Sequence, residues 1–351
     1  MPHPPEPVNA TVVPVTASGS GAAPVPYTAV DRHLDDRTRQ MIADSVPDNT
    51  SRTYKAARAE WLDWCVDNDR VPLPATPETL TEFVRHLIDR DRAPATISSR
   101  VGAIRTMHRL AGHRDQPAID GALQLLRGYK RTRAQAGRGQ REARPITRDD
   151  LVRMVGTFPT DTYVGLRNRL VLVLGFAMMA RQSEVVSLHL GDIATVPDGL
   201  EVTVRTSKTD KDSAGRVVPL PPASLPAVCP VTAYTTYRAR LGELVTDPAA
   251  LEPTTPLLRS VTKHGTPRAG AMPVRVVWEI VRTAITRAGI PDPEAYSPHS
   301  LRAGGLTAAL QAGIPVGIAA RHGGWSPTSP VVMKYARAAD RWRDNAMRGV
   351  L

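Results

Sequence analysis

Residues 297–335 read SPHSLRAGGLTAALQAGIPVGIAARHGGWSPTSPVVMKY, and the order of chemical groups along them decides how the rest of the chain is read. Ser297 followed by Pro298 is a helix start, an N-cap and then proline at the first position. His299 and Arg302, one turn apart, then share a face and can reach one ligand. The first amides of a helix are unpaired and its dipole is positive there, so the same end favours an anion. Further on stand Gly323-Gly324-Trp325 and the isolated Tyr335, which falls on a short predicted helix. Each of these is a group that phosphate chemistry can use.

The whole-chain charge points the same way. Lys and Arg number 45 against 34 acids, a formal net charge of +11, which favours a polyanionic partner such as nucleic acid over an acidic small molecule. At 351 residues and 42% hydrophobic content the chain is long enough for two domains with separate cores. Cys65 and Cys229 are far apart and lack metal-ligand spacing, so no disulfide framework or zinc site is expected, and a reducing cytoplasm fits. The longest apolar run, LVLVLGFAMMA at 170–180, is too short to span a bilayer and reads as a buried helix. No Walker A loop, His-Glu-x-x-His or Gly-x-Ser-x-Gly occurs, and His113-Arg114-Asp115 imitates a kinase triplet by chance.

Residues 1 to 46 are rich in Pro, Ala, Val, Thr and Gly without periodicity, which reads as a flexible tail. From Thr50 one helical face carries Tyr54, Ala57, Trp61, Trp64 and Cys65. Thr76-Pro77 starts a second helix that buries Leu80, Phe83, Val84, Leu87 and Ile88. A third, 95–111, buries Ile97, Val101, Ile104 and Leu110 and shows Ser98, Ser99, Arg100, Arg105, His108 and Arg109 on its other face, as a helix in a DNA groove would. A solvated basic face is an equal alternative for this helix taken alone. A fourth, 118–131, buries Ile119, Ala122, Leu126 and Tyr129. Between Arg127 and Arg148 stand eight basic residues, Lys130, Arg131, Arg133, Arg138 and Arg141 among them, against the single acid Glu142. Gly137 and Gly139 loosen that stretch, so 136–146 reads as a linker able to track a phosphate backbone.

Thr147 caps the next helix, and the apolar helix 165–180 runs into Arg181-Gln182-Ser183-Glu184. An Arg and an acid three residues apart form a trivial pair on an exposed helix. After a buried helix, Arg181 is expected to point inward. LEVTVRTS and RVVPL form a hairpin joined by KTDKDSAG, and helices 230–244 and 274–288 carry apolar stripes that belong to the core.

Arg181, a hairpin lysine, His299-x-x-Arg302, Trp325 and Tyr335 occur in an order that resembles the tyrosine recombinases of the phage integrase family. The helical bundle, with Trp61 and Trp64 on its first helix and SSRVGAIRTMHRLAG in its third, resembles that family's core-binding domain, so the likeness extends over 47–351. The resemblance implies a mainly α fold: a core-binding bundle at 47–135, the linker, and at 147–351 a mostly helical catalytic domain with a small antiparallel β-sheet, the two closing as a clamp around duplex DNA. It implies site-specific recombination in which Tyr335 attacks the scissile phosphate and forms a 3′-phosphotyrosyl intermediate. Arg181 and Arg302 would neutralise the non-bridging oxygens, and His299 would hold one of them or shuttle a proton. Trp325 would add an indole donor, Glu184 would orient the site, and Lys208 would protonate the departing 5′ oxygen, with Lys211 the competing candidate. No cofactor and no metal are implied. The implied partners are double-stranded DNA with inverted-repeat recombination sites and further copies of the chain, as a homo-tetramer on two DNA sites joined through the apolar terminal helix with Trp342, Met347, Val350 and Leu351. Two departures stand out: Ala180 where a glycine is common before the Arg, and an interval from Trp325 to Tyr335 one residue longer than usual. A type IB topoisomerase and a non-catalytic DNA-binding regulator are the alternative readings. A metal-dependent acidic transposase is weakened because no carboxylate cluster stands out.

Overall fold

The computed structural model describes residues 30, 33, 35–44, 48–113, 116–139, 143–206, 215–326, 328–340, 347 and 350. The chain divides into two compact units, Met1–Gln140 and Arg141–Leu351.

In the first unit α1 (Asp36–Asp44) lies inside the stretch expected to be a flexible tail. It is followed by α2 (Asp48–Asp67), α3 (Pro77–Asp89), α4 (Pro94–Leu110) and α5 (Asp120–Gln135), with α3 packed on α5 and α2 on α4. Thr76 caps α3 as expected, its Oγ1 accepting the Thr79 N–H at 3.2 Å. Trp61, Trp64 and Phe83 pack ring to ring with centroids 5.1–5.8 Å apart, and the Trp61 indole N–H reaches Pro72 O at 3.1 Å.

Two residues of α4 depart from the sequence reading. Leu110, expected in the core, is 65% exposed, because the helix ends there and the core closes one turn earlier on Met107. His108, expected on the basic outer face, is fully buried. Its Nε2 accepts the Ala75 N–H at 2.9 Å and its Nδ1 donates to Ile104 O at 2.8 Å, so the neutral ring pins the loop before α3 to α4.

The second unit is built on α7 (Tyr163–Ala177), apolar almost all round and buried, as a core helix should be. It follows α6 (Arg148–Gly156), which Thr147 opens with a capping box to Asp150. Beyond α8 (Gln182–Val186), β1 (Ile193–Val196), β2 (Gly199–Val204) and β3 (Arg216–Leu220) make an antiparallel sheet in the order β1-β2-β3. The β2–β3 pair is the expected hairpin, and β1 is additional. α9 (Pro230–Leu244) packs on α7, β4 (Arg259–Val261) pairs with β5 (Pro267–Ala271), and α10 (Arg275–Arg287) joins the same core.

α11 (Pro298–Gln311) approaches α7 and the segment just before α6 at distances that only glycine allows. A Cβ at Gly304 would fall 2.2 Å from Ile146 O, and one at Gly305 2.2 Å from Phe176 O. α12 (Val316–Gly323) and α13 (Pro330–Asp340) fold over α11 around a small separate core of Met179, Leu306, Leu310, Ala320, Val332 and Ala336. α7 stops at Ala177, short of the expected 180, and Met179 takes a left-handed conformation at φ 48°. The break turns the Met179 carbonyl toward α11 and allows α8 to start afresh at Arg181.

Candidate active site

Arg181 is the N-cap of α8, and Glu184 is three residues on. The buried Glu184 carboxylate reaches back to the Arg181 backbone N–H at 3.0 Å and to its Nη1 at 2.7 Å, so one acid both caps the helix and aims the guanidinium. Arg181 is expected to point inward, and its side chain, held by Glu184, is 22% exposed. Burial pushes the Glu184 carboxyl up, but donation from the Arg181 backbone and the charge of Arg216 outweigh it and hold the pKa below the ordinary carboxylate value.

Arg302 is in α11, one turn after His299, with 1% of its surface exposed. Its Nη1 donates to Met179 O and, at 2.8 Å, to Gly323 O. Its Cζ lies 3.6 Å from the centre of the Trp325 ring. The indole therefore contributes its face to Arg302, a role the expectation of an indole donor did not include. Nη2 is buried with no hydrogen-bond partner among the described residues. Burial, and then the charges of Arg181 and Arg216, lower the Arg302 pKa to about 9, so the group stays cationic at neutral pH.

The glycines before Trp325 have separate reasons. A Cβ at Gly323 would overlap the Trp325 ring at 2.0 Å, and Gly324 closes α12 in the left-handed region at φ 69°. His322, not singled out by the sequence, donates from Nε2 to Ala177 O at 2.8 Å and ties this turn to the end of α7.

His299 opens onto a cleft shared with Arg181, Gln182, Ser297 and the α10 residues Arg275 and Trp278. Its side chain is exposed on the cleft side. Partial desolvation by the surrounding protein, followed by the charges of Arg302 and Arg181, holds its pKa below the ordinary histidine value. Tyr335 is half-buried on α13 against the small α11–α13 core, close enough for its hydroxyl to act electrostatically on Arg302. The structure thus brings together Arg181, Glu184, His299, Arg302, Trp325 and Tyr335. Lys208 and Lys211 lie outside the described residues.

The sequence reading missed Arg216, which donates from Nη2 to Glu184 at 3.1 Å. A signal was present: Arg216, Val218 and Leu220 alternate along β3, so Arg216 faces inward with two buried apolar residues.

On the first unit, Ser98, Arg105, Arg109, Lys130 and Arg131 are exposed. Arg100 is paired with Glu60 at 2.6 Å, while Arg133, at 2.7 Å, and Arg138 are paired with Asp91. These three therefore have acidic partners, which the sequence reading did not give them. Arg141 lies outside the described residues. Among the described residues no group of three or more His, Cys, Asp or Glu could hold a metal ion, and no helix is long and apolar enough to cross a membrane.

Residues 144–341 match the model of the phage integrase family. An integrase/recombinase xerD homolog of Selenomonas ruminantium is 28% identical over 322 residues, 90% of this chain and 89% of the relative. The recombinase cre of Escherichia phage P1 is 24% identical over 333 residues, 91% of this chain and 92% of the relative. Among solved structures, a lambda integrase dimer bound to a COC' core site superposes with a TM-score of 0.54 at 15% identity, covering 88% of this chain and 77% of that one. The lambda integrase tetramer bound to a Holliday junction gives 0.52 at 16% identity, covering 88% and 78%. At such identities the structural likeness speaks for the fold.

Proposed function

The chain belongs to the phage integrase family, the tyrosine recombinases, and from that premise we propose that it recombines DNA at specific sites through a 3′-phosphotyrosyl intermediate. The observation that carries the reading is the state of Arg302. It is a buried cation whose Nη1 is fixed by two carbonyls and whose Nη2 has no partner, while the nearby carboxylate, Glu184, is taken up by Arg181 and Arg216. Positive charge held in place without a matching acid is what a phosphate gaining charge on its non-bridging oxygens requires.

In this reading the Tyr335 oxygen forms a bond to phosphorus as the bond to the 5′ oxygen breaks. The 5′ oxygen leaves as a hydroxyl, protonated by Lys208 or Lys211. The ester keeps the phosphodiester energy, so a 5′ hydroxyl from another strand can displace the tyrosine without a nucleotide cofactor. Arg181 and Arg302 neutralise the five-coordinate state with forked, cationic donors, a task metal ions perform elsewhere. The lowered pKa of His299 leaves it neutral at pH 7 and able to accept the tyrosine proton or donate to an oxygen. The exposed Ser98, Arg105, Arg109, Lys130 and Arg131 track the backbone of the duplex, whose recombination sites are inverted repeats. Assembly is as a tetramer on two sites, the state in which lambda integrase is bound to a Holliday junction. Exposed Ile318 on α12 and exposed Val331 and Met333 on α13 are suited to receive a neighbour's apolar terminal segment.

The test is denaturing electrophoresis of a labelled suicide substrate with wild type, Tyr335→Phe and Tyr296→Phe. Tyr296 is buried and has Arg144 over its ring at 5.7 Å, so it serves as a core control. A covalent band is expected for wild type and Tyr296→Phe and none for Tyr335→Phe, with DNA binding retained in all three. An adduct that survives in Tyr335→Phe removes Tyr335 as the nucleophile.

A further inference from the structure

One carboxylate serves two guanidiniums at the site. Glu184 Oε1 accepts from Arg181 Nη1 at 2.7 Å, while Oε2 accepts the Arg181 backbone N–H at 3.0 Å and Arg216 Nη2 at 3.1 Å. The Arg216 side chain is 16% exposed. Its guanidinium also lies against the backbone of Gly324: a Cβ there would fall 2.8 Å from Nη1 and 2.9 Å from Cζ. Gly324 ends α12 and precedes Trp325, whose ring covers Arg302, and the neighbouring Gly323 O accepts from Arg302 Nη1 at 2.8 Å. Arg216 therefore meets, on one side, the carboxylate that aims Arg181 and, on the other, the turn that aims Arg302. The two phosphate-facing arginines come from different parts of the chain, and β3 supplies a side chain that touches the supports of both.

We infer that Arg216 is a positioning residue for strand cleavage: by sharing Glu184 with Arg181 and backing the Gly323–Trp325 turn, it sets both phosphate-facing guanidiniums. The inference rests on the phosphotyrosyl reading above. Without Arg216, Glu184 loses its second guanidinium, and Oε2 keeps only the Arg181 backbone N–H among the donors described. The carboxylate can then rotate to take Arg181 in a two-pronged pair, which draws that guanidinium's donors away from the phosphate. The turn under Arg302 also loses its backing. A lysine keeps the charge, but a single ammonium cannot span Glu184 and Gly324 as a planar fork does.

The experiment is single-turnover cleavage of a half-site suicide substrate by full-length wild type, Arg216→Gln, Arg216→Lys, Glu184→Gln and the double variant Arg216→Gln/Glu184→Gln, with half-site affinity and melting temperature measured on each. Arg216→Gln is expected to slow cleavage by about tenfold or more, with affinity within about threefold of wild type, and Arg216→Lys to recover part of the rate. Arg216 and Glu184 share one interaction, so the loss in the double variant should fall clearly short of the product of the two single losses. The inference is overturned if Arg216→Gln cleaves within about twofold of wild type, or if the two single effects multiply in the double variant. It is also overturned if Arg216→Lys is as slow as Arg216→Gln while affinity and melting temperature fall in parallel, which would mark a role in folding alone. Failure of wild type itself to form an adduct through Tyr335 would instead overturn the underlying reading, and this one with it.

Discussion

Arg259 and Arg302 are each 1% exposed and lie in the same unit, yet their guanidiniums end in different situations. Arg259 is enclosed by neutral acceptors: Nε donates to Pro256 O at 3.3 Å, and Nη2 donates to Ala250 O and, at 3.2 Å, to Thr255 Oγ1. Its own backbone carbonyl takes Arg167 Nη1 at 3.0 Å, and Arg167 is completed by Asn168. Neither has a buried donor left unpaired among the described residues. Arg302 is anchored through one nitrogen, stacked on an aromatic ring and near two other guanidiniums and the carboxylate they share, with a second nitrogen buried and unpaired among the described residues. Burial alone therefore does not mark a functional arginine. A satisfied guanidinium such as that of Arg259 holds loops together, whereas the unpaired Nη2 of Arg302 is suited to the anion of the proposed reaction.

The sharpest way to break this comparison is to replace both arginines by lysine. Arg302→Lys is expected to lower single-turnover cleavage on the order of 10²–10³-fold, because one ammonium cannot hold two carbonyls, stack as a plane and still offer a free donor. Arg259→Lys should cleave at close to the wild-type rate once folded. Near-normal cleavage by Arg302→Lys would erase the distinction.

A smaller effect, on stability, separates the two from the other side. Arg259→Met strips donors from the Ala250 and Pro256 carbonyls and should cost about 2–3 kcal/mol in urea denaturation, with the cleavage rate per folded molecule unchanged. Loss of cleavage without loss of stability would place Arg259 with Arg302.

The smallest effect lies in the other unit, where the satisfied buried polar group is a histidine. Burial lowers the His108 pKa, with donation to Ile104 O opposing it and the charge of His113 adding to it. The folded form thus holds the neutral ring. Its contribution to stability is complete above the unfolded histidine value and is lost as pH falls through the lower folded pKa. The melting temperature should therefore fall on acidification below about pH 6.5, the unfolded histidine value. His108→Leu, which strands the Ala75 N–H, should flatten that part of the profile and cost about 1 kcal/mol at pH 7. An unchanged acid limb in His108→Leu would show that other groups set it.

What the sequence by itself determined was local. Caps and helix starts at Thr76-Pro77, Thr147 and Ser297-Pro298 were legible because each depends on residues within one turn, and α2 to α5, α9 and α10 followed from apolar periodicity. The candidate site, from Arg181 to Tyr335, was legible through its resemblance to the order of groups in the tyrosine recombinases. Only the tertiary structure decided which polar groups meet. Arg100 was read as part of a basic face and is paired with Glu60, 40 residues away. His108 shares its helix with exposed Arg105 and Arg109, and only the arrival of Ala75 from another loop buries it. Arg302 takes its aim from a carbonyl 123 residues earlier, freed because α7 ends at Ala177 and Met179 turns left-handed. Arg216 reaches Glu184 across 32 residues of chain because the sheet sets its first inward position beside α8. Periodicity and capping report the few residues around a position, while a charge buried far along the chain takes its partner from packing, which no local pattern encodes.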